Sequence, residues 1–374
     1  MSEFFGFLHV NWQIATMLAI GGLLLYVGIA KKVEPVLLIP IGVGVILANI
    51  PLSGMAEEGG LLEFLKRVGI YTELFPLLIF IGIGAMIDFG PFLERPYTIF
   101  LGAAAQFGIF GTFLIAYCLG DGGGRLLDFS LQDAASIGVI GSADGPTSIY
   151  VSTVLGSKYA PAIVVAAYSY MALVPIIQPP IMRLLTTERE RSLKMSPKGR
   201  EVSRRAKILF PVVTIVVVGL LVPKATPLIG CLMFGNLLRE SGVVERLSAA
   251  AQNELANIVT LLLGLTVGGM MEAESFLKVE TIVIFVMGVI AFALDTAAGV
   301  LFGKLLYLLS KGKINPLIGA AGISAFPMAA RVVQKMGLEA NPHNHLLMHA
   351  AGANTAGQIA SVVAGGAILT LVPR

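Results

Sequence analysis

"IGVIGSADGPTSIY", residues 137–150, places a single carboxylate, Asp144, among glycines and a proline in a stretch that is otherwise small and apolar. Gly138, Gly141, Gly145 and Pro146 break a helix at that point. The rest of the chain decides what the break means. Of 374 residues, 56% are hydrophobic and 13% are charged, and the mean hydropathy is +0.85. A soluble chain carries about 25% charged residues. Apolar runs such as 12–30 and 281–306 recur from end to end, at the length of ~20 residues that a helix needs to cross a bilayer. The reading is an all-α polytopic membrane protein. No alternating pattern of ~10-residue strands supports a membrane barrel. A helix broken at bilayer depth exposes backbone groups, tolerated only where they are buried in protein or line a watery cavity. A carboxylate there costs ~2.5–3.5 kcal/mol on insertion scales and marks an ion path. The alternative is an Asp that caps a helix in an extramembrane loop.

Apolar segments fall at 12–30, 35–50, 73–89, 97–119 and 161–185, then at 207–223, 226–238, 256–272, 280–306 and 343–372. Two interrupted ones, 132–156 and 315–333, read as re-entrant hairpins. A basic loop, 186–206, divides the chain into membrane repeats 1–185 and 207–374; its charged run reaches 208 and holds eight basic and three acidic residues. The halves resemble each other. Residues 40–54 match 228–242, residues 84–93 match 268–277, and "GVIGSADGP" (138–146) matches "GAAGISAFP" (319–327). The offset drifts only from 188 to 184 to 181. Such duplication is a transporter signature, and paired Gly/Pro-interrupted segments point to the binding site. With both hairpins re-entrant, each half crosses about five times, and an odd number inverts one half against the other. Placing the 186–208 loop in the cytoplasm puts 19 of the 26 Lys and Arg inside, as the positive-inside rule requires. The hairpins then enter from opposite faces and their tips meet near the midplane. The net charge of +3 gives no reason to expect nucleic acid.

In the first hairpin, Asp144 and unwound carbonyls offer hard oxygen ligands. In the second, "NPLIGAAGISAFPMAAR" (315–331), Asn315 and Ser324 supply neutral oxygens that suit Na⁺ rather than a soft metal. Asn315 before Pro316 equally fits a helix N-cap, and Arg331 equally fits an interface position. Tyr168, Ser169 and Tyr170 lie on the crossing segment after the first hairpin. Asn354, Thr355, Gln358 and Ser361 lie on the one after the second. Asp295 is a second intramembrane acid. His343, His345 and His349 lack an acid helper and read as interface or packing residues, so no transition-metal site is expected. Cys118 and Cys231 read as small buried residues. The stretches 60–69 and 243–255 read as interfacial amphipathic helices. The leading "MSEFFGFLHVN" carries Glu3 and no Lys or Arg, so the first apolar run reads as a retained helix rather than a cleaved signal.

"GVIGSADGPTSIY", "NPLIGAAGISAFPMAAR" and "LLMHAAGANTAGQIAS" resemble the signature segments of the β-subunits of sodium-pumping biotin-dependent decarboxylases, which serve oxaloacetate, methylmalonyl-CoA and glutaconyl-CoA. The resemblance covers nearly the whole chain. It implies that Asp144, Tyr170 and Arg331 are catalytic, and that Asp144, Asn315, Gly319, Ser324 and Asn354 bind Na⁺. It also implies partners: an α-subunit carboxyltransferase, a biotin carrier protein or domain, a small γ-subunit, and further copies of β. Biotin is then carried covalently on another subunit, and carboxybiotin is the substrate. The expected location is the cytoplasmic membrane of a bacterium or archaeon.

On this reading, carboxybiotin is decarboxylated while Na⁺ moves outward and a proton is consumed. Asp144 can hold Na⁺ when ionised and a proton when neutral. Arg331 can hold the carboxylate of carboxybiotin, and Tyr170 can protonate the biotin ring nitrogen. A rival is a Na⁺-coupled carrier of organic anions without bond chemistry. A second rival is a structural anchor for a soluble enzyme.

Overall fold

The computed structural model describes residues 6–32, 34–124, 126–196 and 199–373. The first five residues of the leading stretch thus lie outside the described residues. Every regular element among the described residues is a helix. The first half contains α1 (Trp12–Ala30), α2 (Pro35–Asn49), α3 (Leu61–Leu65), α4 (Leu74–Met86), α5 (Gly90–Glu94), α6 (Thr98–Ala104), α7 (Phe107–Leu119), α8 (Leu131–Gly138), α9 (Gly145–Val154) and α10 (Ala160–Leu185). A short α11 (Glu188–Arg191) sits in the basic loop. The second half contains α12 (Arg204–Leu221), α13 (Thr226–Ser241), α14 (Glu245–Ala250), α15 (Ala256–Gly269), α16 (Ala273–Phe276), α17 (Val279–Leu309), α18 (Met328–Ala340) and α19 (Leu347–Leu371).

Four stretches are long and apolar enough to cross a membrane: Trp12–Ala30, Thr98–Leu119, Val279–Leu309 and Leu347–Leu371. Counting two bent pairs as one span each raises the number to six. In the first, α3 with its continuation meets α4 at 63°. The second is α10, which bends between Met171 and Leu173 and carries Pro175, Pro179 and Pro180. Proline removes a helix hydrogen bond and bends the axis. Leu209, Val213, Val216, Leu220 and Leu221 of α12 are exposed, as are Ile282, Leu301, Leu305 and Leu309 of α17. Large apolar side chains in such numbers face lipid, not water.

The two broken segments form the centre of the molecule. Residues 133–152 are buried without interruption, and so are 315–325. In the first hairpin α8 passes through a 3-10 turn, Val139–Ser142, into α9; in the second, a 3-10 stretch, Pro316–Gly322, precedes α18.

Around this centre the helices pair crosswise between halves. A Cβ on Gly44 of α2 would lie 2.3 Å from the Leu265 carbonyl of α15, and one on Gly235 of α13 would lie 1.9 Å from the Ile81 carbonyl of α4. Only glycine lets the backbones approach so closely. Each pair ends on a buried asparagine. Asn49 donates to the Met271 carbonyl at 2.8 Å, and Asn236 donates to the Ile87 carbonyl at 3.0 Å. The two stretches expected to be interfacial are also built alike. α3 runs into a π-helical turn at Lys66–Ile70, and α14 runs into another at Ala251–Leu255.

Candidate functional site

Ser130 opens the first hairpin with a capping box to Asp133. Ala143 then takes a left-handed φ of 52°, the chain turns, and Asp144 becomes the N-cap of α9, with Pro146 in the first turn. Its Oδ1 accepts the Thr147 amide at 3.3 Å, and its Oδ2 accepts the Thr147 hydroxyl at 2.7 Å. Both sequence alternatives for Asp144 thus contain something observed. It caps a helix, and the cap is only 3% exposed, inside the protein rather than in a surface loop. Two further donors reach Oδ2 from α19: Gln358 Nε2 at 3.0 Å and Ser361 Oγ at 2.9 Å. Both lie near the middle of a helix long enough to span a bilayer. Among the described residues no ion pair involves Asp144. Its partners are neutral donors only, which can support a carboxylate without fixing a cation on it.

The second hairpin meets the first at its tip. The Ser324 amide donates to the Ser142 carbonyl at 3.1 Å, and Ser324 Oγ donates to the Gly357 carbonyl at 2.9 Å. Three side-chain amides from surrounding helices hold the second hairpin by its carbonyls. Asn354 of α19 donates to Ile323 at 2.6 Å, Gln178 of α10 to Ala320 at 2.7 Å, and Gln106, between α6 and α7, to Gly322 at 3.3 Å. The oxygen of each of these amides is buried and has no hydrogen-bond partner. Buried neutral oxygens left free in this way are the ligand type that a small hard cation takes.

Asp144, Ser324 and Asn354 are therefore brought together. The other expected positions lie apart. Asn315 caps Leu317 and gives its amide to the Arg191 and Leu193 carbonyls at 3.0 and 2.9 Å, which ties the base of the hairpin to the basic loop. Gly319 lies against the Gly299 carbonyl of α17, where a Cβ would come within 1.9 Å. Tyr170 donates its hydroxyl to the Phe285 carbonyl, on the seam between α10 and α17. Arg331 is exposed on α18, beside Gln334, Lys335 and Leu347. Asp295 is fully buried and accepts the Gly108 amide. His343 and His345 are exposed, and His349 is buried.

Thr147, Gln358 and Ser361 complete the surroundings of Asp144 but were not among the expected site residues. A signal for the last two exists in the sequence. Asn354, Gln358 and Ser361 follow i, i+4, i+7, which places three polar groups on one helical face.

A helical, membrane-embedded chain that joins one carboxylate to neutral oxygens at the junction of two buried hairpins has the build of an ion-translocating subunit. Comparison with known proteins gives the particular family. Residues 13–372 match the model of the Na⁺-transporting oxaloacetate decarboxylase beta subunit, and the chain belongs to that family. It is 50% identical to oxaloacetate decarboxylase beta chain 2 of Salmonella typhi, over 98% of this chain and 97% of that one. It is 52% identical to the methylmalonyl-CoA decarboxylase subunit beta of Veillonella parvula and 50% identical to the glutaconyl-CoA decarboxylase subunit beta of Acidaminococcus fermentans, each over 98% of this chain and 95% of the other. The Salmonella alignment runs over 422 positions and the Veillonella alignment over 367, for the same 98% of this chain. The Salmonella chain therefore carries inserted residues that this chain lacks. The family activity is carboxybiotin decarboxylation coupled to Na⁺ transport. A beta subunit of this kind works in a complex with α and biotin-carrier subunits.

Proposed function

We propose that Asp144 is the seat at which Na⁺ and a proton alternate as the complex decarboxylates carboxybiotin and moves Na⁺ outward. The observation that carries this reading is the buried Asp144 carboxylate, bonded to Thr147, Gln358 and Ser361 and facing no cation among the described residues. In the reaction the N–CO₂⁻ bond of carboxybiotin breaks, CO₂ leaves, and the electron pair on the ring nitrogen takes up one proton. Ser324 and Asn354, at the junction of the two hairpins, are the Na⁺ ligands of the Asp144 seat. Asn315 and Gly319 act by holding the second hairpin in place, at its base and against α17. Arg331, exposed on the same side as the basic loop, receives the carboxylate of the incoming carboxybiotin. Tyr170 donates the proton once its bond to Phe285 opens. If Tyr170→Phe released CO₂ at the wild-type rate, that assignment would be wrong.

The inverted repeat belongs to this proposal. Six candidate spans and the shorter α2, α12, α13 and α15 make ten crossings, five in each half. The crosswise pairs α2–α15 and α4–α13, their asparagine ends and the two α-to-π turns support the repeat. The bacterial or archaeal cytoplasmic membrane, a γ-subunit and more than one copy of β complete the proposed assembly. Membership of the family weighs against a carrier without bond chemistry. The test is ²²Na⁺ uptake by proteoliposomes that hold this subunit together with α-subunit and biotin carrier. Asp144→Asn should abolish uptake, and undiminished uptake would sink the reading.

A further inference from the structure

Two tyrosines stand two residues apart on α10 and face different neighbours. Tyr170 lies on α17, where a Cβ on Gly288 would meet its ring at 2.1 Å, and its hydroxyl is bonded to Phe285. Tyr168 faces the first hairpin. A Cβ on Gly145 would lie 2.3 Å from Tyr168 Cζ and 2.4 Å from its Cε1. Gly145 directly follows Asp144, so the hydroxyl-bearing end of the ring rests on the backbone beside that carboxylate, within reach of its charge.

The Tyr168 hydroxyl is buried and has no hydrogen-bond partner. A buried tyrosine ordinarily satisfies its hydroxyl. The Asp144 carboxylate is also uneven. Three donors crowd Oδ2 between 2.7 and 3.0 Å, whereas Oδ1 has one long bond, 3.3 Å, to the Thr147 amide. An under-bonded carboxylate oxygen and an unpartnered phenolic oxygen therefore occupy adjacent groups. A proton donor is not what this pair lacks, because the phenol carries one and has not given it to Asp144. Both atoms are hard oxygens, and a small cation satisfies both together.

We propose that Tyr168 is a Na⁺-binding residue, whose phenolic oxygen coordinates the ion held on Asp144. The inference rests on the reading of Asp144 as the ion seat. Gly145 is then required because any side chain there would push the ring off the site. Among the residues named in this role, Tyr168 alone comes from the crossing helix that follows the first hairpin.

The experiment measures CO₂ release from the reconstituted complex against Na⁺ concentration, for wild type, Tyr168→Phe and Asp144→Asn. Tyr168→Phe keeps the ring on Gly145 and removes one oxygen. Its Na⁺ concentration for half-maximal rate should rise about tenfold, the scale of loss when support for a metal site is removed. The rate at saturating Na⁺ should stay within about twofold, since the chemistry is untouched. The Na⁺-induced rise in melting temperature should shrink in parallel, which a purely structural role would not produce. An unchanged half-saturation overturns the proposal. So does a fall in maximal rate with a displaced pH profile and unchanged half-saturation, which would mark proton transfer instead. If Asp144→Asn loses Na⁺ dependence while Tyr168→Phe binds Na⁺ normally, this inference alone fails. If Asp144→Asn keeps full Na⁺ dependence, the seat itself is misplaced and the proposal falls with it.

Discussion

The amide of Ser324 donates to the carbonyl of Ser142 at 3.1 Å. These residues lie on opposite hairpins, and the bond joins the two tips. Asp144 is two residues beyond one end of it. A relative movement of the hairpins must therefore be felt at the carboxylate.

The junction tolerates no added bulk. A Cβ on Gly357 would lie 2.1 Å from the Gly322 carbonyl oxygen, a backbone atom that cannot rotate aside. Gly357→Ala should lower stability by about 1–3 kcal/mol, as overpacking does, and should reduce Na⁺ uptake more than its loss of folded protein explains. Thermal denaturation in detergent and vesicle uptake measure the two effects separately.

Gln358 and Ser361 donate to the same oxygen of Asp144. Each single truncation, Gln358→Leu or Ser361→Ala, should cost about 1.5–3 kcal/mol, the range for a bond to a charged group. Because they share an acceptor, the double variant should depart from additivity by about 0.5–3 kcal/mol. A double-mutant cycle on thermal stability reads the coupling, and strict additivity would mean that the donors act independently.

Asn49 and Asn236 each end one of the two crosswise pairs. Asn49 also accepts the Ala273 amide at 2.9 Å. Asn49→Ala and Asn236→Ala should each destabilise by about 1–3 kcal/mol, because each strands buried backbone groups. The two losses should be similar in size if the pairs are related by a repeat. A strongly one-sided result in thermal unfolding would argue against that relation.

Glu190 lies in the basic loop, outside the spans. Burial alone would raise its pKa, but the Thr187 amide and hydroxyl, together with Lys304, outweigh it and hold the carboxyl below its ordinary value. The folded pKa is thus depressed. Its stabilising contribution is full above the unfolded pKa, near about 4.3, and is lost as pH falls through the folded value. Glu190→Gln should melt earlier than wild type at pH 7. The gap should close on acidification below about pH 4.3. A gap that stayed constant across the titration would exclude this ionisation as its source.

Much of the architecture was legible in local pattern. Gly141, Gly145 and Pro146 marked the first break, and Asn315–Pro316 marked the start of the second. What was hidden depends on contacts distant in the chain. Gln106 and Gln178 carry no local signal within their apolar segments, yet they reach carbonyls 216 and 142 residues away. No periodicity encodes such a partner. Tyr168 and Tyr170 lie two residues apart on one helix, and their different neighbours, Gly145 for one and Gly288 with Phe285 for the other, come from distant parts of the chain. Helix breaks inside spans were hidden for a related reason. Breaks at Ala105–Gln106 and Met171–Leu173 interrupt stretches whose composition is continuous, so hydropathy alone does not show where a helix stops.

The crosswise pairing of α2 with α15 bears on biosynthesis. Asn49 and the Met271 carbonyl it binds are 222 residues apart. At about 5–20 residues per second, α2 leaves the ribosome roughly 10–45 s before the helix that covers its glycine face. During that interval the small-residue surfaces of α2 and α4 stand open in the bilayer, available to any helix nearby. A nascent chain of this design depends on being kept away from wrong neighbours until its own second half arrives, and chains truncated after the basic loop should be recognised as orphans and degraded.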